Sequence, residues 1–151
     1  MELKFASHCV YQIRYHQVLC IKYRKKILRE RRYREWLKEI IREVSERYWY
    51  EIDEIWTDGD HVHIFVWATP KESASKIMQV IKSITAKEMF RKYPEIKKEL
   101  RWWSFWSDWW YIGTVWEWTN EDIVKRYIQN QWDEIEREQY KQLKLFTIRD
   151  V

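Results

Sequence analysis

Two glycines serve a chain of 151 residues, where average usage of about 7% would supply roughly ten. Almost every turn must therefore be made by a residue that carries a side chain, for which positive φ is strained. One of the two, Gly59, stands in Asp58-Gly59-Asp60, between alternating runs at 50–56 and 61–67. A Gly-containing turn between two alternating runs predicts a β-hairpin.

The remaining elements follow from periodicity. Residues 9–21 alternate with Val10, Tyr11, Ile13, Tyr15, Val18 and Ile21 and predict one long strand. In 28–48, Tyr33, Trp36, Leu37, Ile40, Ile41, Val44 and Tyr48 recur at helical spacing. Thr69-Pro70 ends the hairpin, and 73–91 predicts a second helix with Ile77, Val80, Ile81, Ile84 and Met89 on its apolar face. Pro94 opens a short basic helical piece to residue 100, and 109–115 predicts another strand. Thr119 or Asn120 caps a last helix over about 120–138, with acids in its first turn, followed by a short tail. The order β-α-β-β-α-(α)-β-α implies an α+β fold, an antiparallel sheet with helices packed on it, of ferredoxin-like or RNA-recognition-motif-like type. With no repeat and no linker, one domain over 1–151 is expected.

Composition narrows the class. Hydrophobic residues make up 46% and charged residues 34%, and mean hydropathy is −0.73. No run approaches the roughly 18 apolar residues of a membrane span. Met1-Glu2-Leu3-Lys4-Phe5 is not expected to act as a secretory leader. A soluble cytoplasmic protein that does not engage membranes is expected. The net charge is +4, unevenly spread. Residues 22–34 hold Lys22, Arg24, Lys25, Lys26, Arg29, Arg31, Arg32 and Arg34 against Glu30 alone, while 46–60 and 117–138 are net acidic. The basic block fits either a phosphate-backbone contact surface or a solvated loop and helix start. Cys9 and Cys20 lack CxxC spacing and are expected as free buried thiols.

The chemistry-bearing residues lie in two places. In His61-Val62-His63 both imidazoles leave the same face of a strand, while Val62, Ile64 and Val66 pack behind. Such a pair either chelates a divalent ion or is two satisfied surface histidines. On the last helix Tyr127 and Gln131 share a face at i and i+4. A carboxamide oxygen is a hard ligand suited to Mg²⁺ or Mn²⁺, whereas Tyr127 among Ile123, Val124 and Ile128 also reads as a core aromatic. Asp60 either orients an imidazole or closes the turn, and the turn is the reading preferred. His8 and His16 read as strand residues rather than ligands, and Arg14 and Lys82 as candidate phosphate contacts.

Taken in order, Tyr15-His16, Lys22-Tyr23-Arg24-Lys25-Lys26, Thr57-Asp58-Gly59-Asp60-His61-Val62-His63, Lys82-Ser83-Ile84-Thr85-Ala86, Phe105-Trp106-Ser107-Asp108 and Tyr127-Ile128-Gln129-Asn130-Gln131 resemble the HUH (His-hydrophobic-His) nucleases. The likeness is closer still to the small single-tyrosine transposases called TnpA. It implies a metal-dependent transposase that cleaves and rejoins single-stranded DNA at insertion-sequence ends. His61, His63 and Gln131 would hold Mg²⁺ or Mn²⁺, and Tyr127 would attack to leave a 5′-phosphotyrosine and a free 3′-hydroxyl. The basic residues Arg14, Lys22, Arg24, Lys25, Lys26 and Lys82 would contact nucleic acid. The resemblance further implies hairpin recognition near element ends and a homodimer whose subunits share active sites. Two other functions remain open: a non-catalytic single-strand nucleic-acid-binding module, and a phosphodiesterase that hydrolyses without a covalent adduct.

The chain departs from that family in one direction. Glycine is expected near Trp49, Trp56, Trp102, Trp103, Trp109, Trp116 and Trp132, whereas Trp36 and Trp106 suit an aromatic. One hypothesis is that the source reads UGA as glycine and the gene was translated with UGA as tryptophan. The other is a genuinely Trp-rich lineage whose aromatics stack on bases. Under recoding, the codons at the seven positions are UGA; UGG there would sink the idea.

Overall fold

In the computed structural model, which describes residues 3–101 and 104–114, the chain opens with a short hairpin of β1 (Lys4–Ala6) and β2 (Cys9–Tyr11). It then enters β3 (Arg14–Ile21) and passes two 3-10 turns, Lys22–Arg24 and Ile27–Arg29, into α1 (Arg31–Tyr48). β4 (Glu51–Asp58) and β5 (His61–Trp67) follow, then α2 (Ala74–Lys92), α3 (Glu95–Glu99) and β6 (Trp106–Thr114). The last helix expected at about 120–138, carrying Tyr127 and Gln131, lies outside the described residues, and so does the test of one domain over 1–151.

Four strands form an antiparallel sheet in the order β4-β5-β3-β6. With α1 and α2 as crossovers this is the split β-α-β arrangement of ferredoxin-like folds, the α+β class expected from the sequence. The hairpin at Gly59 is as tight as predicted: Asp58 pairs with His61, leaving Gly59 and Asp60 as the loop. Gly59 sits at φ +20°, and a Cβ there would lie 3.3 Å from the Lys26 side chain. The loop is pinned by Leu28 N–H to Gly59 O at 2.8 Å and Ile21 N–H to Asp60 O at 2.8 Å.

Val62, Ile64 and Val66 are fully buried, packed in one core with Tyr33, Leu37, Ile40, Ile41 and Val44 of α1 and Ile77, Met78, Ile81 and Met89 of α2. Each such aliphatic contributes about 1.5–3 kcal/mol by leaving water. The α2 face is shifted from its expected stripe. Val80 and Ile84 are only half-buried, and Met78 and Thr85 take the core positions. Thr85 is tolerated because its hydroxyl donates to Ile81 O at 2.6 Å and accepts from the Trp106 indole at 2.9 Å. α2 starts where the sequence places it: Ser73 caps it, Oγ accepting from Lys76 N–H at 3.1 Å.

Three expectations are corrected. The strand expected over 9–21 is two strands, because 9–11 pairs with β1 while 14–21 pairs with β5 and β6. Alternation continues through such a change of partner, so periodicity does not reveal it. His8 is a turn residue between β1 and β2 at φ 59°, not a strand residue. Cys9 is exposed on that hairpin, and of the two cysteines only Cys20 is buried.

Trp49 ends α1 in the left-handed conformation (φ 60°, ψ 28°), its N–H bonded to Ser45 O, with 92% of its surface exposed. That is the helix-ending position glycine fills most readily. Of the other positions where glycine was expected, Trp56 and Trp109 lie in strands and take no positive φ; Trp102, Trp103, Trp116 and Trp132 lie outside the described residues. Trp49→Gly removes a left-handed penalty of about 1–2 kcal/mol and sacrifices little packing. After the extra entropy glycine brings to the unfolded chain, a net stabilisation of roughly 0.5–1 kcal/mol is expected. A urea midpoint that stays put or falls would refute it.

Candidate metal centre

His61 and His63 leave β5 on the side opposite Val62, Ile64 and Val66, as the period of two requires. Both are buried, and their ring centroids stand 5.0 Å apart at 61°. Each uses Nδ1 inside the protein. His61 Nδ1 meets Asp60 Oδ1 at 2.6 Å, and His63 Nδ1 meets His16 Nε2 at 2.7 Å. An ionised carboxylate only accepts, so His61 directs an N–H at it from Nδ1, the arrangement that in a neutral ring places the lone pair on Nε2. Metal-binding histidines are held in this way by a partner behind the ring.

Asp60 therefore does more than close the turn, against the reading preferred from sequence. Its carboxylate is 2% exposed, and its second oxygen accepts from Arg24 Nε at 3.0 Å and Lys26 Nζ at 2.9 Å. Burial pushes the carboxyl up, but hydrogen bonds from His61 and Lys26 and the charge of Arg24 outweigh it. The group is held well below the ordinary carboxylate range.

The donor set fits a divalent ion. Two neutral imidazoles whose Nδ1 atoms are engaged can present Nε2 to one ion. Among the described residues no group of three or more His, Cys, Asp or Glu is arranged for a metal. The residue expected as a further ligand, Gln131, lies outside the described residues, as does Tyr127.

The basic residues divide. Lys22, Arg24 and Lys26 cluster at the His61 end of the sheet, where Cys20 pairs with His61. Lys22 Nζ bonds Asp108 Oδ2 at 3.2 Å, and exposed Lys25 belongs to the same turn region. Lys82 joins this end through Ser107 O at 3.0 Å, where burial pushes its ammonium down, opposed by Asp108 and assisted by Lys22. Arg14 starts β3, about 23 Å from its far end at the usual rise per residue, and pairs with Asp53 at 2.6 Å beside Phe65 and Trp67. Four of the six expected nucleic-acid contacts are thus gathered by direct bonds at one end, and Arg14 is not among them.

Sequence reasoning passed over two neighbours of the pair. His16 was set aside as a strand residue, yet it contacts His63 directly. The Trp56 ring lies flat on His63, centroids 3.6 Å apart at 8°. That contact was within reach, because a two-residue loop at Gly59-Asp60 places Trp56 opposite His63. No helix among the described residues is long and apolar enough to cross a membrane.

The described residues thus form a ferredoxin-like sheet that carries a paired-histidine strand. Residues 9–131 match the family described as "Transposase IS200 like". The ISDra2 transposase TnpA of Deinococcus radiodurans is 33% identical over 133 residues, covering 88% of this chain and 94% of that protein. The transposase for insertion sequence element IS200 of Salmonella typhimurium is 27% identical, covering 87% and 84%. The crystal structure of a candidate transposase from Deinococcus radiodurans R1 aligns with a TM-score of 0.74 at 28% identity, covering 85% of this chain and 97% of that one. The chain belongs to the IS200-like transposase family.

Proposed function

We propose that this transposase cleaves and rejoins single-stranded DNA at the ends of its insertion sequence through a 5′-phosphotyrosine at Tyr127, with Mg²⁺ or Mn²⁺ held by His61, His63 and Gln131. The observation that supports it most is the histidine pair, both rings on one face of β5 and each held by a partner at Nδ1, as metal-binding histidines are. When bound, the ion polarises the scissile phosphate and offsets charge built up as the phosphorus is attacked. Asp60 holds His61 in the ligand tautomer. The Tyr127 oxygen gives up its proton and forms the new bond to phosphorus as the bond to the 3′ oxygen breaks, and that oxygen takes up a proton and leaves as a hydroxyl, so no net proton is consumed. One phosphodiester is exchanged for another, so a second 3′-hydroxyl reverses the step without ATP. The basic turn 22–26 beside His61 supplies phosphate contacts. Hairpins at the element ends are the structures bound, and two copies form the working dimer, each completing the other's site.

The test mixes purified protein with labelled single-stranded DNA from the element end, with and without Mn²⁺. An adduct that survives denaturation, needs the metal and is lost on duplex DNA is the expected result. DNA binding without cleavage under every metal condition would leave a binding module instead. Arg24→Ala and Lys25→Ala together are expected to weaken DNA binding several-fold and to flatten its salt dependence; an unchanged salt slope would take the 22–26 turn out of the interface.

A further inference from the structure

We propose that His16 is a positioning residue for the metal site, holding His63 in the tautomer whose Nε2 can bind an ion. The inference rests on the metal reading above and extends it to a residue outside the ligand set.

The two ligand histidines are supported unequally. Asp60 can only accept, so it dictates where the proton of His61 lies. His16 Nε2, 2.7 Å from His63 Nδ1, can either accept or donate. If it donates, His63 takes the proton's partner role at Nδ1 and carries its own hydrogen on Nε2, leaving no lone pair for a metal there. If it accepts, Nδ1–H of His63 points inward and the lone pair lies on Nε2. Metal binding at His63 thus requires one direction of this bond, and the ring of His16 decides whether that direction is offered.

The surroundings of His16 hold that ring still. It is 5% exposed and lies flat on Phe65, centroids 4.4 Å apart at 9°. Tyr111 meets it edge-on at 5.9 Å and 73°. Phe65 and Gly113 are its register partners on the two adjoining strands, and the bare Gly113 leaves space that the Tyr111 hydroxyl occupies. A ring fixed by two aromatics and two neighbouring strands can aim Nε2 at one atom.

The experiment titrates full-length wild type, His16→Phe, His16→Gln and His61→Ala with MnCl₂ by calorimetry, in the absence of DNA. His16→Phe keeps the flat ring but removes the acceptor, and a loss of roughly 10–100-fold in Mn²⁺ affinity is expected. His16→Gln places an amide oxygen near the former Nε2 and is expected to recover most of that loss. In ¹⁵N spectra of the wild-type protein, His63 is expected protonated at Nδ1 and bare at Nε2. Folded His16→Phe with wild-type affinity, His16→Gln as weak as His16→Phe, or the opposite His63 tautomer would each overturn the role of His16 alone. Wild type that binds no Mn²⁺, or His61→Ala that binds as well as wild type, would overturn the metal reading and this inference together. Should His16→Phe fail to fold, the glutamine variant and the tautomer still decide.

Discussion

Phenylalanine in place of Tyr127 is expected to abolish the covalent protein–DNA adduct, a loss of at least about a thousandfold, while leaving hairpin binding within about two-fold of wild type. The substitution removes one oxygen and no ring, so whatever Tyr127 packs against is kept. What vanishes is the atom that would bond to phosphorus. A phenol of ordinary pKa about 10 is a weak nucleophile, which is why the reading also requires a polarised phosphate beside it. A labelled single strand, Mn²⁺ and a denaturing gel measure the adduct, and a native mobility shift measures binding. An undiminished adduct would assign the nucleophile to another residue. Strand cleavage that continues with no adduct in either protein would show water attacking, and the phosphodiesterase reading would replace this one.

What the sequence revealed, and what it hid, separates by range. The hairpin at Gly59 was legible to the residue, because a two-residue turn and strict alternation fix register locally. α1 was legible because its apolar residues recur at 3.6 with few exceptions, and all five of its buried residues were named in advance. The division of 9–21 into β2 and β3 was not legible, since the same alternation serves whichever strand lies alongside. The pair His61 and His63 could be placed on one face from spacing alone. The partners behind them could not: His16 lies 47 residues from His63 in sequence and meets it only because β3 pairs antiparallel with β5. Asp60 was visible but misjudged for a related reason. Beside Gly59 its turn role is local and obvious, whereas its bonds to Arg24 and Lys26 depend on how the 3-10 turns fold over the hairpin tip. The landmarks 82–86 and 105–108 turned out to be one junction, where Trp106 bonds Thr85 and Lys82 bonds Ser107.

Asp60→Asn is expected to lower stability at pH 7 by about 2–4 kcal/mol, because a buried charge is removed while its cationic partners remain. For a chain of this size that corresponds to a melting temperature roughly 5–15 °C lower. The His61 bond leads the loss, followed by Lys26, whose share is reduced by solvent screening at 50% exposure, and by Arg24, 18% exposed. The pH dependence has a definite sign. The folded carboxyl is held below its ordinary value, so near and below pH about 4 the unfolded chain binds a proton that the native state does not. This contribution is fully present above the unfolded value and is lost as pH falls below it. Asparagine has no such proton to take up, so the gap between wild type and variant should be widest at neutral pH and narrow steadily toward pH 3. Urea unfolding of both proteins at pH 7, 5 and 3 reads it directly. A gap that stays constant would mean that the carboxyl binds its proton equally well in the folded and unfolded chain, and that the loss is one of shape and not of charge. A narrowing gap, together with weaker Mn²⁺ binding by the variant, would tie the fold's buried ion cluster and the orientation of His61 to the same carboxylate.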